Sequence, residues 1–408
     1  MTHSIVLDEL DSHGPVVHLS QDAVASLEST ELVEFRPRVG GGYEVLPRGN
    51  VGAVRLGDLQ IEVRPKDKVG VAQLLFLLGY TRDPGFRLDD IGGTTDEHLL
   101  SALAESLARQ ARRAIARGVH HAYVSVDEAA RTVRGRIRIG DQITRRPGLL
   151  VPLEVTYDDY SPDVPENQIL RSAVRLMARL PQVGERVRTE LSIVDAQLDG
   201  VRVIEHGRPL PQWVPTRLNL RYHNALRLSE IVLRHQSAST TAGDVEMAAF
   251  VVPMWKVFED FVGTALRTAL SSTRGETREQ YPVNLDVRPS SLPAVHMDVD
   301  IVHLMRGVPV VVADAKYKAE SASGKYPNAD KYQMLAYCTA LGLERGWLIY
   351  ARGDRGPGVR RIVNTGIEIV EWPIDLSVEP RAILAQVDEL ASAMAGSASS
   401  TGRVAIRT

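Results

Sequence analysis

His296-Met297-Asp298-Val299-Asp300-Ile301-Val302, followed by Asp314-Ala315-Lys316-Tyr317-Lys318, is the stretch on which the reading of this chain turns. Segments 297–304 and 308–315 are largely apolar and β-branched, and Arg306-Gly307 between them signals a turn. A three-residue loop centred on Gly307 pairs Asp300 with Asp314 and Asp298 with Lys316, each pair symmetric about that glycine. Side chains alternate along a strand, so these four project from one side. Val299, Ile301, Val311, Ala313 and Ala315 then point the other way, into a core. Like charges directly opposite on adjacent strands repel. A chain that sets Asp300 against Asp314 needs a positive charge between them, and hard carboxylate oxygens suit magnesium, with manganese able to substitute. Lys316 then stands where it stabilises charge on a phosphate or orients an attacking water. The competing reading is a solvated hairpin with charges on its wet face.

The flanking segments decide between the two. Residues 255–270 repeat apolar positions at Phe258, Phe261, Val262, Ala265, Leu266 and Ala269, the pattern of an amphipathic helix, and Glu259 borders that stripe. After the hairpin come a Gly/Ser/Lys loop, Ser321–Lys325, and a helix from about Asp330 to Leu341. On that helix Gln333 and Tyr337 stand one turn apart, beside Met334, Leu335, Cys338 and Leu341. The order is helix with Glu, strand with Asp, strand with Asp-x-Lys, helix with Gln-x-x-x-Tyr.

That order resembles the core of the PD-(D/E)xK metal-dependent nucleases, with the Gln-x-x-x-Tyr helix of the RecB-like branch. The resemblance implies catalytic roles for Asp300, Asp314, Lys316 and Glu259, with Asp300, Asp314 and Glu259 around the metal and Gln333 and Tyr337 in support. Val299 replaces the usual proline of the motif, which leaves both Asp298 and Asp300 as possible ligands. Pairing with Asp314 and the following Ile301-Val302 favour Asp300, leaving Asp298 as a supporting group or a partner for Lys316.

Length and composition set the wider bounds. A chain of 408 residues with 44% hydrophobic content holds two or three domains with real cores. The net charge of −3 excludes a wholesale polycation, so DNA contact has to come from local patches. The single cysteine, Cys338, excludes an intramolecular disulfide and a cysteine-rich zinc site. Eleven histidines show no metal-ligand spacing, and no Walker-type phosphate loop occurs, so the chain is not expected to hydrolyse nucleotides. No secretion signal and no apolar run of membrane-spanning length are present, which reads as cytoplasmic with no membrane role.

Along the chain the fold class reads as α+β and multidomain. A β-rich N-terminal domain occupies 1–150, a helical region 151–245, an α/β nuclease core 246–390 and a flexible tail 391–408. Residues 53–56 and 59–63 form a hairpin around Gly57-Asp58, and helices follow at 71–80 and 96–117. Two strands are expected at 119–126 and 131–139, joined through Asp127-Glu128. The second carries Arg134, Arg136 and Arg138, with Arg145 and Arg146 just beyond: a solvated edge or a DNA-phosphate surface. Tyr157–Asn167 is a turn-rich approach to helices at 166–180, 184–197 and 217–236, and a Ser/Thr-rich joint spans Ser237–Gly243.

Taken over residues 50–350, the chain resembles the McrC family, the nuclease subunit of McrBC-type modification-dependent restriction systems. The matching segments are Ile61-Glu-Val-Arg-Pro-Lys66, Leu74–Tyr80, Arg134-Gly135-Arg136-Ile137, Tyr157-Asp158-Asp159, Asp163-x-Pro165-x-Asn167, Phe258-Glu259, Asp300-Ile301-Val302, Asp314–Lys318 and Tyr332–Tyr337. The resemblance implies a partner, a McrB-like AAA+ GTPase hexamer on which the N-terminal part docks and whose hydrolysis it stimulates. It also implies a substrate, double-stranded and modified DNA. A standalone DNA nuclease and a non-catalytic activator of the ring are the alternatives.

Overall fold

The computed structural model describes residues 3–65, 69–82, 84, 86, 99–180, 183–205, 207–235, 247–287, 293–317, 328–351 and 356–401. The loop Ser321–Lys325, the joint Ser237–Gly243 and Arg352–Arg355 lie outside them. Two compact units, each discontinuous in sequence, make up the chain. One comprises Met1–Thr2, Ala53–Gln60 and His98–Phe250, and the other His3–Gly52, Ile61–Glu97 and Val251–Thr408.

The N-terminal segment is β-rich as expected: β1 (His3–Asp8), β2 (Val16–Val17), β3 (Val33–Pro37), β4 (Tyr43–Pro47), β5 (Val51–Leu56) and β6 (Leu59–Arg64). Helix α1 (Gln21–Glu28) interrupts them, its first turn capped by Ser20 Oγ accepting from the Ala23 N–H at 3.2 Å. β5 and β6 are neighbours joined through Gly57, whose φ of 58° fits a tight turn. Helix α2 (Val71–Arg82) follows, with Phe76 and Tyr80 edge-on or tilted against Phe261 at 5.8 and 5.5 Å. This aromatic packing groups residues 61–97 with the C-terminal third.

In the first unit, α3 (Leu99–Ile115) leads to β7 (Ala122–Ala130), β8 (Arg136–Ile137), α4 (Ile139–Arg145) and β9 (Leu153–Ser161). Here two expectations fail. β7 runs straight through Asp127-Glu128, and Tyr157–Tyr160 is strand, not turn. β7 pairs with β9 from Ala122↔Ser161 to Ala130↔Leu153, and β8 adds to the other side of β9. The alternation that suggested a long arginine strand belongs to a two-residue strand running into a helix. Helices α5 (Pro165–Arg179), α6 (Glu185–Gln197) and α7 (His223–Arg234) follow, the last preceded by a 3₁₀ turn at Leu220–Tyr222; β10 (Met247–Val252) ends this stretch.

The last stretch orders α8 (Met254–Leu270), β11 (Glu276–Asn284), β12 (His296–Met305), β13 (Val308–Lys316), α9 (Asn328–Leu341), β14 (Arg345–Ala351), β15 (Gly358–Arg361), β16 (Glu368–Ile374) and α10 (Pro380–Thr401). One sheet runs β11-β12-β13-β14-β16-β15. β11, β12 and β13 form an antiparallel meander, and α9 is the crossover that makes β14 parallel to β13. Helix α8 packs on β13 and β11, α9 on β14 and β13. With helices on both sides, Ile301, Val311, Ala313 and Ala315 are buried, but so are Val302, Leu304 and Val312. The hairpin is thus no half-wet ribbon. Gly346 lets α9 approach β14, since a Cβ there would meet Met334 Sδ at 2.4 Å. α10 continues to Thr401, with Leu390, Ala391 and Met394 buried, so the expected flexible tail is helical as far as it is described. Its Ala-rich composition favours helix, and its apolar face has a place to pack, against α8, β13 and β16.

Candidate active site

The hairpin register decides what its carboxylates meet. β12 and β13 pair Ile301↔Ala313 and Val302↔Val312, and one further step sets Asp300 opposite Asp314. The turn is not the three-residue loop expected. Met305 pairs with Val308, leaving a two-residue turn in which Arg306 and Gly307 take φ 55° and 79°, the left-handed pair of a tight hairpin. That turn alone would slip the register by one. A bulge between His303 and Leu304, whose partners jump from Val311 to Pro309, leaves Val310 extra and restores the alignment.

Asp314 is fully buried, and Lys316 Nζ lies 2.7 Å from its Oδ2 and 4.0 Å from Asp300 Oδ2. That ammonium is within hydrogen-bonding reach of Asp314 Oδ2, while Oδ1 is buried with no hydrogen-bond partner. Burial, then the Asp300 carboxylate beside it, push the Asp314 carboxyl above its usual range, against the pull of Lys316. Burial disfavours the Lys316 ammonium, but Asp314 and Asp300 outweigh it and hold the lysine protonated. Without a cation the two acids are driven to share a proton, and the pair opens to solvent through the partly exposed Asp300 and Lys316.

Gln333 and Tyr337 come to this site from α9. Gln333 Nε2 donates to Tyr337 Oη at 2.8 Å, and that hydroxyl donates to the Asp298 carbonyl at 3.0 Å. The phenol is pushed up to about 12 by burial and by the charges of Asp314 and Asp300, so it stays a donor. Helix α9 therefore pins the β12 backbone two residues before Asp300. The Asp298 side chain is exposed and pairs with His296 Nε2 at 3.3 Å, not with Lys316. Two residues before the rung, it turns to solvent.

Glu259 is not gathered into the pair. Its Oε1 accepts from Lys256 Nζ at 2.9 Å and Gln280 Nε2 at 3.1 Å. Among the described residues no three His, Cys, Asp or Glu side chains converge as a metal site. The donor set is two hard carboxylates, one of them buried with an unpartnered Oδ1. That suits magnesium, which binds through one or two carboxylates and fills its shell with water and phosphate oxygens. Two further groups escaped the sequence reading. Asp330, buried at the start of α9, adds its charge to those that keep Lys316 protonated, yet in sequence it reads as an ordinary helix start. Tyr317, facing away from Lys316, donates to Glu9 Oε2 at 3.3 Å, a contact with no local signal.

The arginines fall elsewhere. Arg138, Arg145 and Arg146 converge on the buried Glu154, at 3.1, 3.8 and 3.0 Å. Arg134 lies over the Tyr157 ring at 4.8 Å, and Arg136 is exposed on β8.

Helix, meander and crossover helix together define an α/β protein that brings an acid pair and a lysine to one place. Residues 46–351 match the family of the McrBC 5-methylcytosine restriction system component, and the chain belongs to that family. The resemblance to McrC read from the sequence stands with it. The fold is similar to a chain of the half-complex from a tetradecameric assembly of Thermococcus gammatolerans McrB AAA+ hexamers with bound McrC. The TM-score is 0.60 at 18% identity, over 96% of this chain and 100% of that one. A chain of the T. gammatolerans McrBC complex also matches, with a TM-score of 0.40 at 20% identity, over 65% of this chain and 88% of that one. No curated protein matches the sequence. No helix among the described residues is long and apolar enough to cross a membrane.

Proposed function

We propose that this chain is the magnesium-dependent DNA endonuclease subunit of a McrBC-like restriction system. It assembles with a McrB-like AAA+ GTPase hexamer, stimulates that ring and cleaves modified foreign DNA. Membership of the McrBC family supports the system, and the relative's assembly with McrB hexamers supports the partner. The order α8-β11-β12-β13-α9-β14 supports a PD-(D/E)xK core. The observation that carries the nuclease reading is Asp314, buried with its Oδ1 unpartnered, facing Asp300 and beside a protonated Lys316.

Asp300 and Asp314 hold the metal in this reading. Magnesium bound there supplies Lewis-acid polarisation of the scissile phosphate and neutralises the buried charge. Lys316 keeps its proton and offers it as a hydrogen bond to a non-bridging phosphate oxygen or to the attacking water. Tyr337 holds the β12 backbone so that Asp300 stays on the rung. Water gives up a proton to solvent as it adds at phosphorus, and the leaving sugar oxygen takes one up from solvent as its bond to phosphorus breaks. One such site cuts one strand, so a double-strand break takes two copies of the chain.

The test combines the purified chain, its AAA+ partner, GTP, magnesium and methylated plasmid. Cleavage is expected from the parent and lost in Asp314→Ala and Lys316→Ala, with stimulation of the partner's GTPase kept in both. Unchanged cleavage in both variants refutes the site. Robust cutting without the partner makes the chain a standalone nuclease, and GTPase stimulation with no cutting makes it an activator alone.

A further inference from the structure

Gln280 is the one residue of β11 whose backbone leaves the strand conformation. Its φ is 48°, a left-handed value that a non-glycine side chain seldom holds and that strains the backbone. Its neighbours pair Glu279↔Ile301 and Tyr281↔Val299, so Gln280 occupies the position facing Asp300. The most strained rung of the meander is the one that carries the candidate ligand.

The consequence shows in which way the side chains face. On a regular strand Glu279 and Gln280 would point to opposite sides. Here both address α8: Glu279 pairs with Arg267 at 2.8 Å, and the Gln280 amide donates to Glu259 at 3.1 Å. Past the rung, Tyr281 and Val283 pack against the apolar cluster that includes Met334 and Tyr337 of α9. β12 changes parity at the same place. Val302 and Leu304 belong to that cluster, but so does Val299, with Met297 packed on it. The two-residue alternation is broken once in each strand, at 280 and 300.

We propose that Gln280 is a positioning residue of the nuclease site, an inference that rests on the nuclease reading above. Its left-handed backbone makes the break in side-chain parity at the rung of Asp300, and its amide fixes Glu259 on the α8 side of the same rung. A surface glutamine in regular strand would do neither, and selection for a stable edge strand would favour a β-branched residue here.

Three variants separate backbone from side chain. Gln280→Gly keeps the left-handed backbone and loses the amide; Gln280→Asn tolerates that backbone and keeps a shorter amide; Gln280→Val opposes the backbone and has no amide. Full-length protein is titrated with Mn2+ by electron paramagnetic resonance, melted, and assayed for cleavage with the partner ring. Gln280→Val is expected to weaken Mn2+ binding about tenfold or more and to lower kcat with KM for DNA unchanged. Gln280→Gly should move both in the same direction by less, and Gln280→Asn should lie nearest the parent. Mn2+ affinity and kcat within about twofold of the parent in both Gln280→Val and Gln280→Gly, whatever happens to Tm, overturn the proposal. If the parent binds Mn2+ but never cleaves DNA, the nuclease reading fails while the Mn2+ comparison still decides the role of Gln280. A parent that binds no Mn2+ overturns both.

Discussion

Two buried carboxylates in this molecule are treated in opposite ways. Glu154, on β9, receives three guanidinium groups from Arg138, Arg145 and Arg146, and Arg138 also reaches Asp127 and Asp141. Its backbone N–H is taken by Gln142 Oε1 at 2.7 Å. Asp314, on β13, is just as buried, faces a second acid, and has one ammonium shared between the two. The first carboxylate is over-supplied with positive charge and closes a local structure. The second is under-supplied, an arrangement that costs stability and is retained where charge has to be lent to something from outside. Three of the five arginines singled out in the sequence thus serve a structural hub, and a deficit of cations marks the candidate site.

The largest expected contrast lies in activity. Lys316→Ala should cost about 10²–10³ in cleavage rate, and Asp314→Ala at least as much, as read by single-turnover plasmid cutting with the partner ring. Glu154→Gln should leave cleavage per folded molecule within a few-fold; a loss as deep as that of Lys316→Ala would erase the distinction. Stability should run the other way. Glu154→Gln is expected to destabilise by about 1–3 kcal/mol, because it unpairs guanidinium groups gathered around a buried acid. Asp314→Asn, which removes an uncompensated charge of the same shape, should be neutral or stabilising in urea melts without metal. A lower midpoint for Asp314→Asn would show that the acid is structurally satisfied after all.

Tyr337→Phe sharpens the same contrast at smaller scale. It removes the hydrogen bonds to Gln333 and the Asp298 carbonyl, worth about 1 kcal/mol, while keeping the ring in its core. Cleavage should fall more steeply than stability does, a split that an equal drop in both would contradict. The smallest effect concerns His303, on the same strand as Asp300. Burial lowers its pKa, against a hydrogen bond with the Arg274 backbone that raises it, so the folded chain keeps it neutral where the unfolded chain protonates it. The unfolded state binds more protons there, so stability falls as pH drops below about 6.5 toward the folded value. His303→Gln should flatten that slope in melts from pH 7 to pH 5; an unchanged slope assigns it to other groups.

Much of the site's wiring was readable as local pattern. Alternation marked both hairpin strands, helical periodicity marked α8 and α9, and Gln333 and Tyr337 stood one turn apart as any i,i+4 pair must. The facing of Asp300 and Asp314 was inferred with the wrong turn, because a bulge in β13 cancels the shorter loop, and nothing in Val308–Val312 announces which residue is extra. Glu259 was implied as a third ligand by the family resemblance; in the structure its carboxylate accepts from Lys256, one helix turn away, and from Gln280 on β11. The strand expected at 131–139 failed because alternating arginines suit a solvated strand and a helix entry equally well.

The sequence by itself determined the succession of helices and strands, the McrBC family and which side chains could share a rung, since these depend on periodicity and order along the chain. Tertiary structure alone decided that Asp314 is sealed from water, that Glu154 gathers the arginines, that Tyr337 anchors the Asp298 carbonyl and that Gln280 takes a left-handed backbone within the edge strand. Burial and charge balance are properties of what surrounds a group in space, and the neighbours that set them here come from segments tens to hundreds of residues apart.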